Sequence, residues 1–393
     1  MQEDIVIVGA ARTPMGAFQG DFADLAAHDL GGAAIAAAIA RAGIAADQVD
    51  ELLFGNCLMA GQGQAPARQA GFKGGLPQAC GAVTLSKMCG SGMEAAMLAH
   101  DQLVAGSRRV MVAGGMESMT NAPYLLKKAR GGYRMGHERI YDHMMLDGLE
   151  DAYEAGRSMG TFGEDCAAKY QFTRAQQDAF AIESVKRAQA AAGSGAFAAE
   201  ITPVTVKTRK GEVTVSLDEG PAKARLDKIS SLRPAFKKDG TITAASSSSI
   251  NDGAAALVLM RAATAAELGC KPLARIAAHA THSQAPQWFT TAPVGATQKA
   301  LQKAGWAASD VDLWEVNEAF AVVPMALMKE LGVAHDKLNV NGGACALGHP
   351  IGASGARILV TLLYALQARG GKRGLATLCI GGGEGTAMAV EML

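Results

Sequence analysis

The segment Ala42-Gly-Ile-Ala-Ala-Asp-Gln-Val-Asp50 returns as Ala304-Gly-Trp-Ala-Ala-Ser-Asp-Val-Asp312, identical at six of nine positions. Each copy follows an Ala-rich stretch of helical character and leads into a short apolar run, residues 51–54 in one and 313–316 in the other. The order of features then repeats. Cys89-Gly-Ser-Gly opens a helical pattern leading to Arg109-Val-Met-Val-Ala-Gly-Gly-Met-Glu117, and Gly352-Ala-Ser-Gly opens another leading to Gly374-Leu-Ala-Thr-Leu-Cys-Ile-Gly-Gly-Gly-Glu384. Nine residues of common types can match by chance, but agreement in order over two further segments favours internal duplication of an α/β half. A chain of this kind folds as two similar halves with an insertion between them.

The intervening residues 120–250 differ in texture. They hold a charge-rich stretch at 124–139, a helical pattern at 173–192 and a polar run, Ala244-Ala-Ser-Ser-Ser-Ser249. Val204-Thr-Val-Lys and Val213-Thr-Val-Ser alternate like hairpin strands around Lys210-Gly211. Long excursions from a core usually carry function, so this one reads as a binding surface. The expected division is 1–119 with 251–271 for the first half, 120–250 for the insertion and 272–393 for the second half. Residues 5–8, Ile-Val-Ile-Val, predict a strand buried on both faces, and residues 26–43 a helix ended by glycine.

Composition narrows the function. Lys+Arg and Asp+Glu both number 37, so net charge supplies no attraction to nucleic acid or to an anionic membrane, and an anionic ligand must be recognised locally. Seven cysteines without paired spacing read as reduced thiols rather than a disulfide framework. The N-terminus enters a strand at once, and no apolar run approaches the ~18 to 20 residues of a membrane span. A soluble, cytoplasmic protein is expected.

Three glycine-lined bends carry candidate chemistry. His349 stands between Gly348 and Pro350, which deny it a regular helix or strand interior, directly before an Ala/Leu helix pattern. A general base facing a thiol explains that placement; an ordinary surface or core histidine is the alternative. Cys89 falls where the chain enters a helix, and the unpaired N–H groups of the first turn would stabilise a thiolate and donate to an oxyanion. Free cysteine is also among the most buried residue types, so packing is the competing reading. Cys379 ends an apolar run before three glycines, where backbone can approach a ligand closely or simply turn. Gly381-Gly-Gly-Glu-Gly lacks the Lys-Ser/Thr of a phosphate loop and comes too late to begin a dinucleotide-binding unit. His279-Ala-Thr-His282 and the pair His137 and His143 lack the cysteine or carboxylate spacing of a metal site, so no metal is expected.

Taken together, Cys89-Gly-Ser-Gly-Met-Glu, Asn317-Glu-Ala-Phe320, Asn341-Gly-Gly-Ala, Gly348-His-Pro-Ile-Gly-Ala-Ser-Gly-Ala-Arg357 and Cys379-Ile-Gly-Gly-Gly resemble the thiolase family over the whole chain. The resemblance implies a duplicated five-layer α/β/α/β/α core with an inserted loop domain, assembled as a dimer or, as expected here, a homotetramer. It implies an acyltransferase that condenses two acetyl-CoA to acetoacetyl-CoA plus CoA, or cleaves a 3-ketoacyl-CoA with CoA. Coenzyme A is then substrate and product, and no cofactor is expected. By the same resemblance Cys89, activated by His349, takes the acyl group, and Cys379 removes an α-proton. A thiol suits that task because its unperturbed pKa of about 8.5 is close to working pH. One oxyanion hole is made by His349 and a water held by Asn317, the other by the N–H groups of Cys89 and Gly381. Ser248 matches a serine that contacts pantetheine, and Ala319 with Phe320 an apolar tunnel wall.

Departures from the family pattern bear on chain length. Ser158-Met159-Gly160 stands where His-Met-Gly is usual, and Gln284-Ala-Pro-Gln-Trp-Phe-Thr-Thr-Ala-Pro293 replaces a loop with a Met-Gly pair. Ser158, Met159, Trp288 and Phe289 are therefore the expected shapers of the acyl pocket, and a broad degradative 3-ketoacyl-CoA thiolase is the alternative. Gly220-Pro-Ala stands where an arginine near the CoA nucleotide is usual, with Lys223 or Arg225 as substitutes, and Cys345 reads as packing. More distant alternatives are a ketoacyl-carrier-protein synthase, which normally lacks the second cysteine, and a non-catalytic acyl-CoA-binding protein, in which a degraded nucleophile or base would be expected.

Overall fold

The computed structural model describes residues 3–393. Its main strands are β1 (Ile5–Arg12), β2 (Glu51–Gly55), β3 (Gly81–Leu85), β4 (Val110–Ser118), β5 (Asn251–Arg261), β6 (Ala274–Ser283), β7 (Leu313–Val316), β8 (Arg373–Ile380) and β9 (Glu384–Met392). The principal helices are α1 (Ala27–Ala42), α2 (Pro66–Lys73), α3 (Ser91–Val104), α4 (Met159–Tyr170), α5 (Arg174–Ser194), α6 (Ala292–Ala304), α7 (Val322–Leu331) and α8 (Ile351–Arg369).

The strands lie in the order β7-β8-β9-β6-β1-β5-β4-β2-β3. Antiparallel β1 and β6 meet at the centre, where Val6 faces Arg275 and Ile7 faces Ala274. Outward from that seam the two sides repeat each other. β1, β5, β4 and β2 are joined by two antiparallel pairings and one parallel one, and so are β6, β9, β8 and β7.

The repeated segment has a physical basis position by position. Gly43 and Gly305 end α1 and α6 in the left-handed conformation, at φ 72° and 68°. The Gln48 and Asp310 side chains accept the N–H groups of Ala45 and Ala307. Asp50 accepts the N–H groups of Arg109 and Val110, and Asp312 those of Lys372 and Arg373, so each aspartate anchors the start of its half's neighbouring parallel strand.

Alternating side chains sort the strands into layers. Val6 and Val8 of β1 pack outward with α1 and α2, whereas Ile5 and Ile7 pack inward with α3 and α8. In the second half Leu375 and Ala387 face the outer layer of α6 and α7, and Leu378 and Met388 face the same inner helices. The result is helices, one side of the sheet, helices, the other side of the sheet, helices. α8 is long and apolar enough to cross a membrane by length and composition, a feature the sequence reading passed over, but it is enclosed between the two sides of the sheet.

Glycines let the middle helices touch. A Cβ on Gly355 would stand 2.4 Å from the Met93 nitrogen, and one on Gly92 2.8 Å from the Ala356 nitrogen. Part of the glycine density beside Cys89 and His349 therefore serves helix crossing rather than chemistry.

The insertion contains α4, α5 and the hairpin Val204–Thr208 with Gly211–Val215. Thr173 caps α5, its hydroxyl accepting the Gln176 N–H while Gln176 accepts the Thr173 N–H. Fully buried Arg12 ties this region to β1 by donating to Glu200 and to both oxygens of Asp218. The serine run is an ordered strap: Ala321 donates its N–H to the Ser246 carbonyl, and Ser248 donates its own N–H to the Ala319 carbonyl.

Candidate active site

Beyond β3 the chain reaches Met88, whose φ of 46° is left-handed, a strained conformation for a side chain of this size. Ser91 fixes the bend, its hydroxyl donating to the Met88 carbonyl at 2.6 Å and accepting the Lys87 N–H at 2.8 Å. Cys89 is thus held on an elbow just before α3. Gly90 has no room for more: a Cβ there would lie 2.4 Å from Cδ1 of Ile380. That contact lets the end of β8 approach, bringing Cys379 close to Cys89 and the Gly381 N–H into hydrogen-bonding reach of the Cys89 sulfur.

His349 arrives from the other helix of the middle layer. Gly348 (φ 95°) presses against Asn251, and Pro350 caps α8. The ring is buried, and its Nδ1 meets the Ser354 hydroxyl. Ser354 donates its single proton to the Pro350 carbonyl at 2.9 Å, so its oxygen accepts from Nδ1–H and the Nε2 lone pair is left bare. Asn317, at the end of β7, reaches Nδ1 with its amide nitrogen at 3.5 Å. Nε2 of His349 and Oδ1 of Asn317 are both buried without a protein partner, as groups prepared for a ligand or substrate would be.

Cys89, Cys379, His349 and Gly381 line one cavity of about 60 Å³. Ser248, Ala319, Phe320, Met159 and Phe289 complete much of its wall, as do Met88, Gly148, Leu149 and Ile351, which sequence reasoning missed. Asn317 stands behind the histidine. Ser158 and Trp288 lie outside the lining. The Ser158 carbonyl accepts the Thr161 N–H in the first turn of α4, and the Trp288 ring carries the Lys169 ammonium at 4.4 Å. Lys223 and Arg225 are each paired with a near neighbour, Glu219 and Asp227. Cys345 packs into the outer core of the second half.

Burial overrides the free-thiol expectations. It pushes the Cys89 thiol up to about 11, although the N–H groups of Gly381 and of Cys89 itself pull the other way. The Cys379 thiol is held well above its ordinary value by burial and by its neighbour Cys89. Burial, with the Arg357 charge second, lowers His349 to about 3. The resting site is therefore a neutral thiol beside a neutral imidazole, not a thiolate–imidazolium pair.

Two family descriptions cover the chain: "Thiolase, N-terminal domain" over residues 5–263 and "Thiolase, C-terminal domain" over residues 270–392. The chain belongs to the thiolase family. The acetyl-CoA acetyltransferase of Rhizobium meliloti is 52% identical over 390 residues, covering 99% of each chain. That of Escherichia coli K12 is 52% identical over 393 residues, covering all of both. The crystal structure of the Bacillus anthracis acetyl-CoA acetyltransferase superposes with a TM-score of 0.97 at 40% identity, covering 100% of this chain and 99% of that one. A thiolase core with helices on both sides of each sheet is thus common to this chain and that structure.

Proposed function

We propose that this thiolase is an acetyl-CoA acetyltransferase, carrying out the reversible Claisen condensation of two acetyl-CoA to acetoacetyl-CoA and CoA through an acetyl-Cys89 intermediate. The observation that carries the reading is the convergence of both thiols, the bare Nε2 of His349 and the Gly381 N–H on one small cavity.

In the first half-reaction the Cys89 sulfur attacks the thioester carbonyl as its proton passes to Nε2 of His349. The tetrahedral oxyanion collapses, CoA sulfur leaves with that proton, and acetyl-Cys89 remains. In the second, the Cys379 thiol passes its proton to the bare Nε2 of His349, and the resulting thiolate takes an α-proton from another acetyl-CoA. The carbanion attacks acetyl-Cys89, forming the new C–C bond; as acetoacetyl-CoA departs, the Cys89 sulfur takes the proton carried on Cys379, and Cys379 recovers its own from His349. Donors fixed before charge develops cost no reorganisation, which suits the rigid backbone at Cys89 and Gly381 and the buried His349–Asn317 pair. Because the resting Cys89 thiol is neutral, its proton transfer to His349 accompanies attack instead of preceding it.

A cavity of this size supports a short acyl chain, with Met159, Phe289 and Leu149 as the groups that limit it. Ser248 and Ala319 with Phe320 are the proposed contacts for pantetheine. A homotetramer is the proposed assembly, supported by exposed apolar side chains on the excursion after β4, Met135 at 99% and Ile140 at 64%, and by the open edge of β3. The free thiols support a reducing, cytoplasmic location.

The test is CoA-dependent cleavage of acetoacetyl-CoA beside 3-ketohexanoyl-CoA and 3-ketodecanoyl-CoA, with Cys89→Ser as control. Strong preference for the shortest substrate is expected. Equal or faster cleavage of the longer chains would replace this reading with a broad degradative thiolase, and failure of acetyl-CoA to acylate Cys89 would remove it.

A further inference from the structure

On the sequence, His279 and His282 lack a carboxylate at metal-binding spacing; the fold supplies one from another element. His282 lies against Gly295 of α6, whereas His279 faces α3 and meets His100 and Asp101 there. His100 is about 14 Å along α3 from its N-terminal end, near the opposite end of the helix from the Cys89 elbow.

The three side chains converge on a point. His279 Nε2 lies 3.1 Å from His100 Nδ1 and 2.9 Å from the Asp101 carboxylate oxygen, and that oxygen is 3.0 Å from His100 Nδ1. Each imidazole nitrogen offers one in-plane proton or lone pair, so hydrogen bonds alone cannot serve all three sides of this triangle with good geometry. A cation serves all three at once. Tetrahedral zinc with ligand bonds of about 2.0–2.1 Å spaces its ligand atoms about 3.3 Å apart, so the triangle needs to open by only a few tenths of an ångström.

We propose that His100, Asp101 and His279 form a binding site for a divalent cation of the zinc class, joining α3 of the first half to β6 of the second. Two imidazoles and one carboxylate are the donors such ions favour, and a water completes the fourth position. Both rings are largely covered, with side-chain exposures of 18% and 13%, while Asp101 at 59% faces the open cleft through which an ion enters. The cleft has a volume of about 380 Å³. Its cations are already engaged: Arg275 pairs with Glu391 and Asp4, and Lys303 donates to the His279 carbonyl.

The test uses the full chain stripped by chelator and titrated with Co²⁺ and then Zn²⁺. The expected result is one equivalent bound per chain, with cobalt absorption lacking the sulfur charge-transfer band that thiolate ligands would give, and a rise of a few degrees in melting temperature. His279→Ala and Asp101→Ala should each weaken binding by about tenfold or more while leaving acyl-transfer turnover within about twofold. Asp101 is exposed enough that its replacement leaves the core intact. The proposal is overturned by undiminished binding in both variants, by a signal carried wholly by sulfur ligation, or by no saturable binding at micromolar metal.

Discussion

Ser354→Ala probes how the base is prepared. Ser354 is fully buried one turn into α8, and its oxygen is the acceptor that keeps a proton on Nδ1 of His349. Alanine is a good helix former, and the serine bond back to Pro350 is not needed for the helix, so the fold should survive. The tautomer should not. The other group near Nδ1 is the amide nitrogen of Asn317 at 3.5 Å, a donor, which favours a bare Nδ1. The proton then moves to Nε2, where it blocks acceptance of the Cys89 proton. A buried hydrogen bond of this kind contributes about 1–3 kcal/mol, and with 1.36 kcal/mol per tenfold in rate, acylation should slow by about 5- to 150-fold. The assay is single-turnover acetyl transfer from acetyl-CoA to Cys89, read by mass, beside steady-state thiolysis. KM should hold, because Ser354 is not among the residues lining the cavity, and the melting temperature should shift little. An acylation rate within twofold of the parent would refute the reasoning, as would a rise in KM that accounts for the whole loss.

Alkylation of Cys89 by iodoacetamide, followed at that residue by mass spectrometry, should accelerate about tenfold per pH unit through the neutral range. The thiolate is the reactive form, and its fraction grows with pH until the pH approaches about 11; levelling near pH 8 would contradict the buried neutral thiol. Cys89→Ser should abolish acyl-enzyme formation, whereas Cys379→Ser should retain acylation but lose deuterium exchange at the acetyl-CoA methyl group; equal loss of acylation in both would reverse the assigned roles. Gly90→Ala drives a Cβ to 2.4 Å from Ile380 Cδ1 and should cost about 1–3 kcal/mol of stability by denaturant titration while also depressing condensation; unchanged stability would mean that β8 yields freely. Phe289→Ala should raise the ratio of 3-ketohexanoyl-CoA to acetoacetyl-CoA cleavage about tenfold, and an unchanged ratio would show that the pocket is limited elsewhere.

The duplication was legible because each repeated residue performs a local task. Gly43 and Gly305 end helices, and Asp50 and Asp312 clamp strand starts, so both copies require the same residue types. Cys89, His349 and Cys379 were conspicuous because each stands beside a glycine-lined bend, but their roles came from resemblance to thiolases, and their protonation from burial, which no local pattern carries. Leu149 and Gly148 were passed over because they belong to the wall only through the path of the insertion. Trp288 and Phe289 were paired in sequence yet part in space, since the backbone kinks at Trp288 (φ −104°, ψ 19°), whose ring lies under Lys169 while Phe289 lines the cavity. Ser158 was chosen because it stands where a histidine is usual in the family, but only its neighbour Met159 faces the cavity. The Gly92–Gly355 crossing, in turn, could not be separated from catalytic glycines until both helices were placed.

That crossing also governs how the chemistry is divided. α3 and α8 occupy equivalent places in the two copies, so the site straddles the approximate dyad relating them. One copy brings the nucleophile at the head of its central helix, and the other brings the base at the head of its own. Divergence of the duplicate gave the same position different duties, and neither copy retained a full set. A chain severed in the connection between Arg261 and Ala274 would leave Cys89 on one fragment and His349, Asn317 and Cys379 on the other. Activity in such a pair would report reassembly of the whole, with no partial contribution from either fragment.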